Sequence, residues 1–117
     1  MKMLGLFSGD DGESHFREFE LPPVAPPTPP AKSTPRPCQG WTTGESQPGN
    51  FIDWHVARVP RILIVLQGAL EVGVGSGEVR RFGPGDALYA QDTTGRGHTS
   101  RFVGNTVTRM ITIPMGP

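Results

Sequence analysis

The sequence predicts an all-β fold, a sandwich or barrel of short strands. Apolar and β-branched runs succeed one another from Phe51 to Ile113, with turn signals roughly every eight to twelve residues. No stretch there keeps a helical period long enough to matter. The chain also holds 16 glycines, which short strands joined by tight turns require.

Residues 1–20 read as an N-terminal β-hairpin: Met1 to Phe7, a polar turn around Gly9 and Gly12, then Ser14 to Glu20 with His15 and Phe16. From Leu21 to Pro37 eight of seventeen residues are proline. Such a segment lacks ladder donors and favours extended polyproline II. Residues 21–40 are therefore expected to form a strap over the barrel or over a partner subunit. The Pro-x-x-Pro spacing from Pro23 to Pro26 leaves open a ligand for an aromatic-grooved module.

Residues 41–117 form the expected core. Phe51 to Ala57 is one strand, Pro60 punctuates, and Arg61 to Leu66 is a nearly continuous apolar run. Gly68 turns the chain into Ala69 to Val74, and Gly75-Ser76-Gly77 turns it again into Glu78 to Phe82. Gly83-Pro84-Gly85-Asp86 is a strong turn signal. Ala87 to Gln91, His98 to Val103 and Thr106 to Ile113 complete the set. The Gly73-x-Gly75-x-Gly77 spacing lacks the following helix and the lysine of a phosphate loop, so it reads as a turn.

A chain of 117 residues fits one domain with a modest core. Eleven basic and eleven acidic side chains balance without a block of either sign, so the basic face of a nucleic-acid binder is not expected. The apolar run Met3 to Phe7 is too short for a signal peptide, and no later run could span a bilayer. Cys38 is the sole cysteine, which excludes an intrachain disulfide or a cysteine metal cage. These features lead to the expectation of a soluble cytoplasmic protein.

Two motifs carry a family resemblance. Val65-Leu66-Gln67-Gly68-Ala69-Leu70-Glu71-Val72 resembles the apolar strand and turn of the cupins, and Phe82-Gly83-Pro84-Gly85-Asp86-Ala87-Leu88-Tyr89 the start of their second motif. Gly95-Arg96-Gly97-His98 matches that motif's end. Asp53-Trp54-His55 with Asp92 to His98 is similar to a group of small bacterial cupins with no settled activity. The resemblance covers residues 51–113 and implies a cupin-type jelly-roll β-barrel that holds a small molecule, and usually a metal, in its mouth. It departs from the pattern at decisive positions. Of the four usual ligand positions, His55 and His98 remain, while Ala57 and Arg61 stand at the other two. The second motif's proline falls on Gln91 and its terminal asparagine on Phe102.

Metal sites of zinc, iron or manganese generally use three or four protein ligands. Two imidazoles are a weak set, and Arg61 would bring a like charge toward the cation. Strand alternation would put Asp53, His55 and Ala57 on one face, where Asp53 could offset that charge. Without metal, Arg61 could hold a carboxylate or enolate, and His55 or His98 could act as acid or base. An Arg61–Asp53 ion pair that closes the barrel and binds nothing is the plainer arrangement. Tyr89, Gln91 and Phe102 are candidate substrate contacts; Trp41, Trp54 and Phe51 could also line an apolar pocket. His15 reads as a surface residue and Cys38 as an inert thiol.

Three function classes fit these residues. The first is an enzyme of isomerase, lyase or cyclase type acting on a small anionic or carbonyl-bearing molecule. The second is a metal-dependent oxygenase or isomerase with a divalent ion on His55 and His98. The third is a non-catalytic binding or structural module. Open barrel edges and the strap favour a two-fold homodimer.

Overall fold

In a computed structural model of the chain, residues 1–22 and 32–116 are described. Ten strands form two sheets, and no helix occurs among these residues. The first six are β1 (Lys2–Ser8), β2 (Ser14–Glu20), β3 (Thr42–Ser46), β4 (Phe51–His55), β5 (Arg61–Gln67) and β6 (Ala69–Gly73). Then come β7 (Val79–Phe82), β8 (Ala87–Gln91), β9 (His98–Val103) and β10 (Thr108–Pro114). One sheet has the order β2-β1-β8-β5-β10-β3 and the other β4-β9-β6-β7. The architecture is the jelly-roll barrel expected from the sequence.

The core sits between the sheets. Leu6, Val65 and Leu88 come from the larger sheet, and Leu70, Val72, Phe82 and Phe102 from the smaller. Alternation decides which residues enter it. In β8, Leu88 and Ala90 are buried while Ala87, Tyr89 and Gln91 are only half-buried. In β9, His98, Ser100 and Phe102 face in. Burying a leucine or phenylalanine side chain contributes about 1.5–3 kcal/mol, so this alternation fixes the register of both strands.

The N-terminal hairpin is continuous with the barrel. β1 pairs antiparallel with β2 along its whole length and parallel with β8 at Gly5 to Phe7. Residues just after the proline-rich segment run beside the end of β10. Cys38 bridges Met115, and the Gln39 N–H donates to the Pro114 carbonyl at 2.8 Å. The Pro23 to Pro26 spacing lies outside the described residues.

β3 was not foreseen in the sequence. Thr42-Thr43-Gly44-Glu45-Ser46 has no apolar alternation, and its side chains are almost all exposed. It forms because β10 offers an open edge: Thr42 to Ser46 pair with Thr112 to Thr108 in register.

Candidate functional site

A cavity of about 150 Å³ opens between the sheets at the end where β4, β8 and the start of β5 meet. His55, His98, Arg61, Ala57 and Phe102 stand in its wall, with apolar side chains such as Leu63 and Leu70. His98 opens β9 and is 4% exposed. The glycines before it hold the loop in shape: Gly95 and Gly97 have φ of +79° and +81°, which a residue with a Cβ rarely adopts.

Two hydrogen bonds set the imidazoles. His98 Nδ1 donates to Asp92 Oδ2 at 2.6 Å, and His55 Nδ1 donates to the Asp53 carbonyl at 2.7 Å. A carboxylate and a carbonyl can only accept, so both rings carry their neutral proton on Nδ1. In the neutral ring each Nε2 is then left with a lone pair. The ring centroids are 4.3 Å apart. Asp92 is 0% exposed and also accepts the Ser14 hydroxyl at 2.6 Å.

Burial pushes the His55 pKa below its usual 6.5, and repulsion from Arg61, and from His98 once that ring is protonated, adds to this. The hydrogen bond to the Asp53 carbonyl and the Asp92 charge oppose it. His55 is therefore a neutral acceptor near neutral pH.

Arg61, first residue of β5, is half-buried, and its Nε donates to the Val59 carbonyl at 3.2 Å. Among the described residues it makes no ion pair. A guanidinium has five N–H donors, so most of its capacity stays available to an anion.

Three expected site residues lie elsewhere. Asp53 is exposed and caps its neighbour, accepting the Trp54 N–H at 2.9 Å. A register shift between Ile52 and His55 breaks the alternation that would have turned Asp53 inward with His55, and Ile52 lines the cavity instead. This also removes the expected Arg61–Asp53 pair. Tyr89 and Gln91 project from the opposite side of β8, where they line an outer groove with Pro37 and Met115; Tyr89 packs on Phe19 at 5.7 Å. The inward positions of β8 are Leu88 and Ala90. Trp41, Trp54 and Phe51 are exposed too, the latter two under Arg96 and Arg101.

Two residues of the site had no assigned role in the sequence reading. Asp92 stood in the motif ending at His98, six residues upstream, which was a usable signal. Ser14 is 78 residues from Asp92 and gave none.

The donor set does not fit a resident metal. Ala57 and Arg61 hold two of the four usual positions, and both face the cavity. No group of three or more His, Cys, Asp or Glu among the described residues could hold an ion. Asp92 is engaged behind His98 by the ring and by Ser14. A unit like charge at ~5 Å and an effective dielectric near 20 costs about 3 kcal/mol, doubled for a divalent ion.

No family model and no curated protein matches the sequence. Solved structures do. A Cupin 2 conserved barrel domain protein from Salinispora arenicola is 20% identical, with a TM-score of 0.53 over 65% of this chain and 61% of that one. The cupin domain of Schizosaccharomyces pombe Cnp3 is 14% identical, with a TM-score of 0.52 over 88% and 73%. A conserved protein of unknown function from Streptococcus pyogenes is 19% identical, with a TM-score of 0.55 over 73% and 70%. These likenesses show the fold: the chain is a cupin-type barrel. At such identities they carry no activity with them.

Proposed function

We propose that the barrel binds a small carboxylate and shifts a proton on it, in the manner of an isomerase, lyase or cyclase. The observation that carries this is Arg61, a guanidinium without an acidic partner among the described residues, in one small cavity with two imidazoles whose lone pairs are free. A cation in an apolar wall is costly unless an anion meets it. About 150 Å³ is the space that holds a benzene-sized molecule, so the substrate is a short acid of roughly six to eight non-hydrogen atoms.

In this reading Arg61 fixes the carboxylate. His98 Nε2 takes a proton from the carbon beside a carbonyl and returns it at a neighbouring position, so atoms and charge balance. Asp92 steadies the imidazolium formed on the way. His55, held neutral, accepts a hydrogen bond from a hydroxyl or enol of the substrate. General acid–base help of this kind contributes roughly 10²–10⁴-fold.

The test is a panel of small carboxylates followed through the two histidine ring signals by NMR. Binding is expected at millimolar concentration or below, lost in Arg61→Gln and kept in His98→Gln, while turnover falls in both. Silence of both rings toward every acid of this size sinks the reading. Binding without turnover would instead favour a non-catalytic carrier, the same site with a different use. The lone exposed Cys38 suits a reducing cytoplasmic setting. The homodimer remains part of this proposal, supported by the outer edge of β3, which no described strand covers; a monomer by sedimentation removes it.

A further inference from the structure

Four residues of the hairpin, Ser8, Gly12, Glu13 and Ser14, tie its turn to the loop that leads into His98. Ser8 Oγ donates to the Thr94 carbonyl at 2.9 Å, and the Arg96 N–H donates to the Gly12 carbonyl at 2.9 Å. Arg96 also reaches the Glu13 carboxylate at 3.2 Å. These three hold the loop's main chain and surface. The fourth goes deeper. Ser14, 1% exposed, donates its hydroxyl to Asp92 Oδ2, the same oxygen that accepts the His98 Nδ1 proton.

One carboxylate oxygen thus takes two short hydrogen bonds, both 2.6 Å. Oδ1 has no partner among the described residues. The terminal torsion of an aspartate is broad, so a carboxylate held by His98 alone could swing and leave neither oxygen in line with the Nδ1 proton. With its acceptor displaced, the buried Nδ1 proton would lack a partner, and the neutral ring would do better with its proton on Nε2, toward the cavity. That would change the lone pair a base needs into a donor.

We propose that Ser14 is a positioning residue of the site: its hydroxyl locks the Asp92 carboxylate so that His98 keeps the Nδ1 tautomer and presents a basic Nε2. The catalytic consequence rests on the function proposed above, but the tautomer can be read without any substrate. A shifted tautomer in a protein that binds no carboxylate would leave the role of Ser14 standing and sink the function alone.

The experiment uses the full chain labelled with ¹⁵N at histidine, at a pH where the rings are neutral. In the wild type, His55 and His98 are both expected as single Nδ1–H tautomers. Ser14→Ala is expected to move the His98 tautomer ratio toward Nε2–H by at least about tenfold, the worth of one hydrogen bond to a charged group, while His55 stays put. Ser14→Thr keeps the hydroxyl and restores the wild-type ratio. Ser8→Ala loosens the loop without touching Asp92 and leaves the ratio unchanged. Should Ser14→Ala fail to fold, Ser14→Cys, a weak donor of similar size, is expected to give a partial shift. An unmoved His98 ratio in the folded variant, or an equal shift in Ser8→Ala, overturns the proposal.

Discussion

Gly97 lies against the main chain of His55, so close that a methyl group there would overlap the His55 carbonyl and crowd the Val56 nitrogen. The two residues belong to different segments, the end of β4 and the turn into β9. Their approach is what lets His55 and His98 pair as opposite residues across the two strands. A glycine is needed here twice over, for its positive φ and for the missing Cβ.

Gly97→Ala is therefore expected to be among the more damaging small substitutions in the chain. The left-handed backbone alone costs about 1–2 kcal/mol, and the overlap must also push β4 from β9. Chemical denaturation should show a loss of that size or more. The His55 ring signal should shift as well, since its place beside His98 depends on the same contact. A stability within error of wild type would contradict the packing described.

Arg61 sets up the opposite trade. Arg61→Met removes a half-buried cation that has no acidic partner among the described residues and keeps the apolar stem that packs in the wall. Replacement of buried charge by an apolar group of similar volume is often neutral or stabilising, so the variant should unfold no earlier than wild type, with a gain of up to about 1 kcal/mol. Carboxylates should protect wild type against heat and leave the variant unaffected. Marked destabilisation would mean that Arg61 serves the fold rather than a ligand.

The depressed pKa of His55 gives a pH signature. Between its folded pKa and 6.5, the unfolded chain binds more protons than the folded one, so stability rises with pH across that window. Stability from this residue is present above 6.5 and is lost as pH falls through the folded value. Denaturation curves at several pH values should show the slope, and His55→Gln should flatten it. The lowered pKa of Asp11, held by its hydrogen bonds to the Glu13 N–H and the His15 ring, acts separately, below 3.8. A His55→Gln protein with an undiminished slope just below 6.5 would assign the effect to another group.

The parts of this fold that were legible in the sequence are those where alternation and turn chemistry agree. β8 and β9 fall at Ala87–Gln91 and His98–Val103 as read from the sequence, because Gly-Pro-Gly-Asp and Gly-x-Gly punctuate them. β3 escaped because an edge strand with one partner needs no apolar face. In the site, His55, Arg61 and Phe102 reach the cavity, but Asp53 does not. A single register shift between Ile52 and His55 reverses the face, and local sequence carries no mark of it. Tyr89 and Gln91 carry the chemistry of substrate contacts, but the pleat of β8 turns them away from the cavity. Ser14 became visible only when the hairpin was seen against the loop after β8, a contact that no spacing encodes.

The parallel pairing of β1 with β8 has a consequence for how the chain comes into being. The first hairpin is synthesised early, yet the strand it must lie beside starts at Ala87 and the carboxylate it must hold is Asp92. During synthesis β1 therefore waits with one edge open, while most of the barrel is still to be made. Open edges of nascent β-proteins are where chains join wrongly. Arg17, Glu18 and Glu20 in β2 keep its own outer edge charged meanwhile. Docking of the hairpin on β8 closes the sheet and brings Ser14 to Asp92, so a barrel without its hairpin in place also lacks the second hydrogen bond on the carboxylate behind His98.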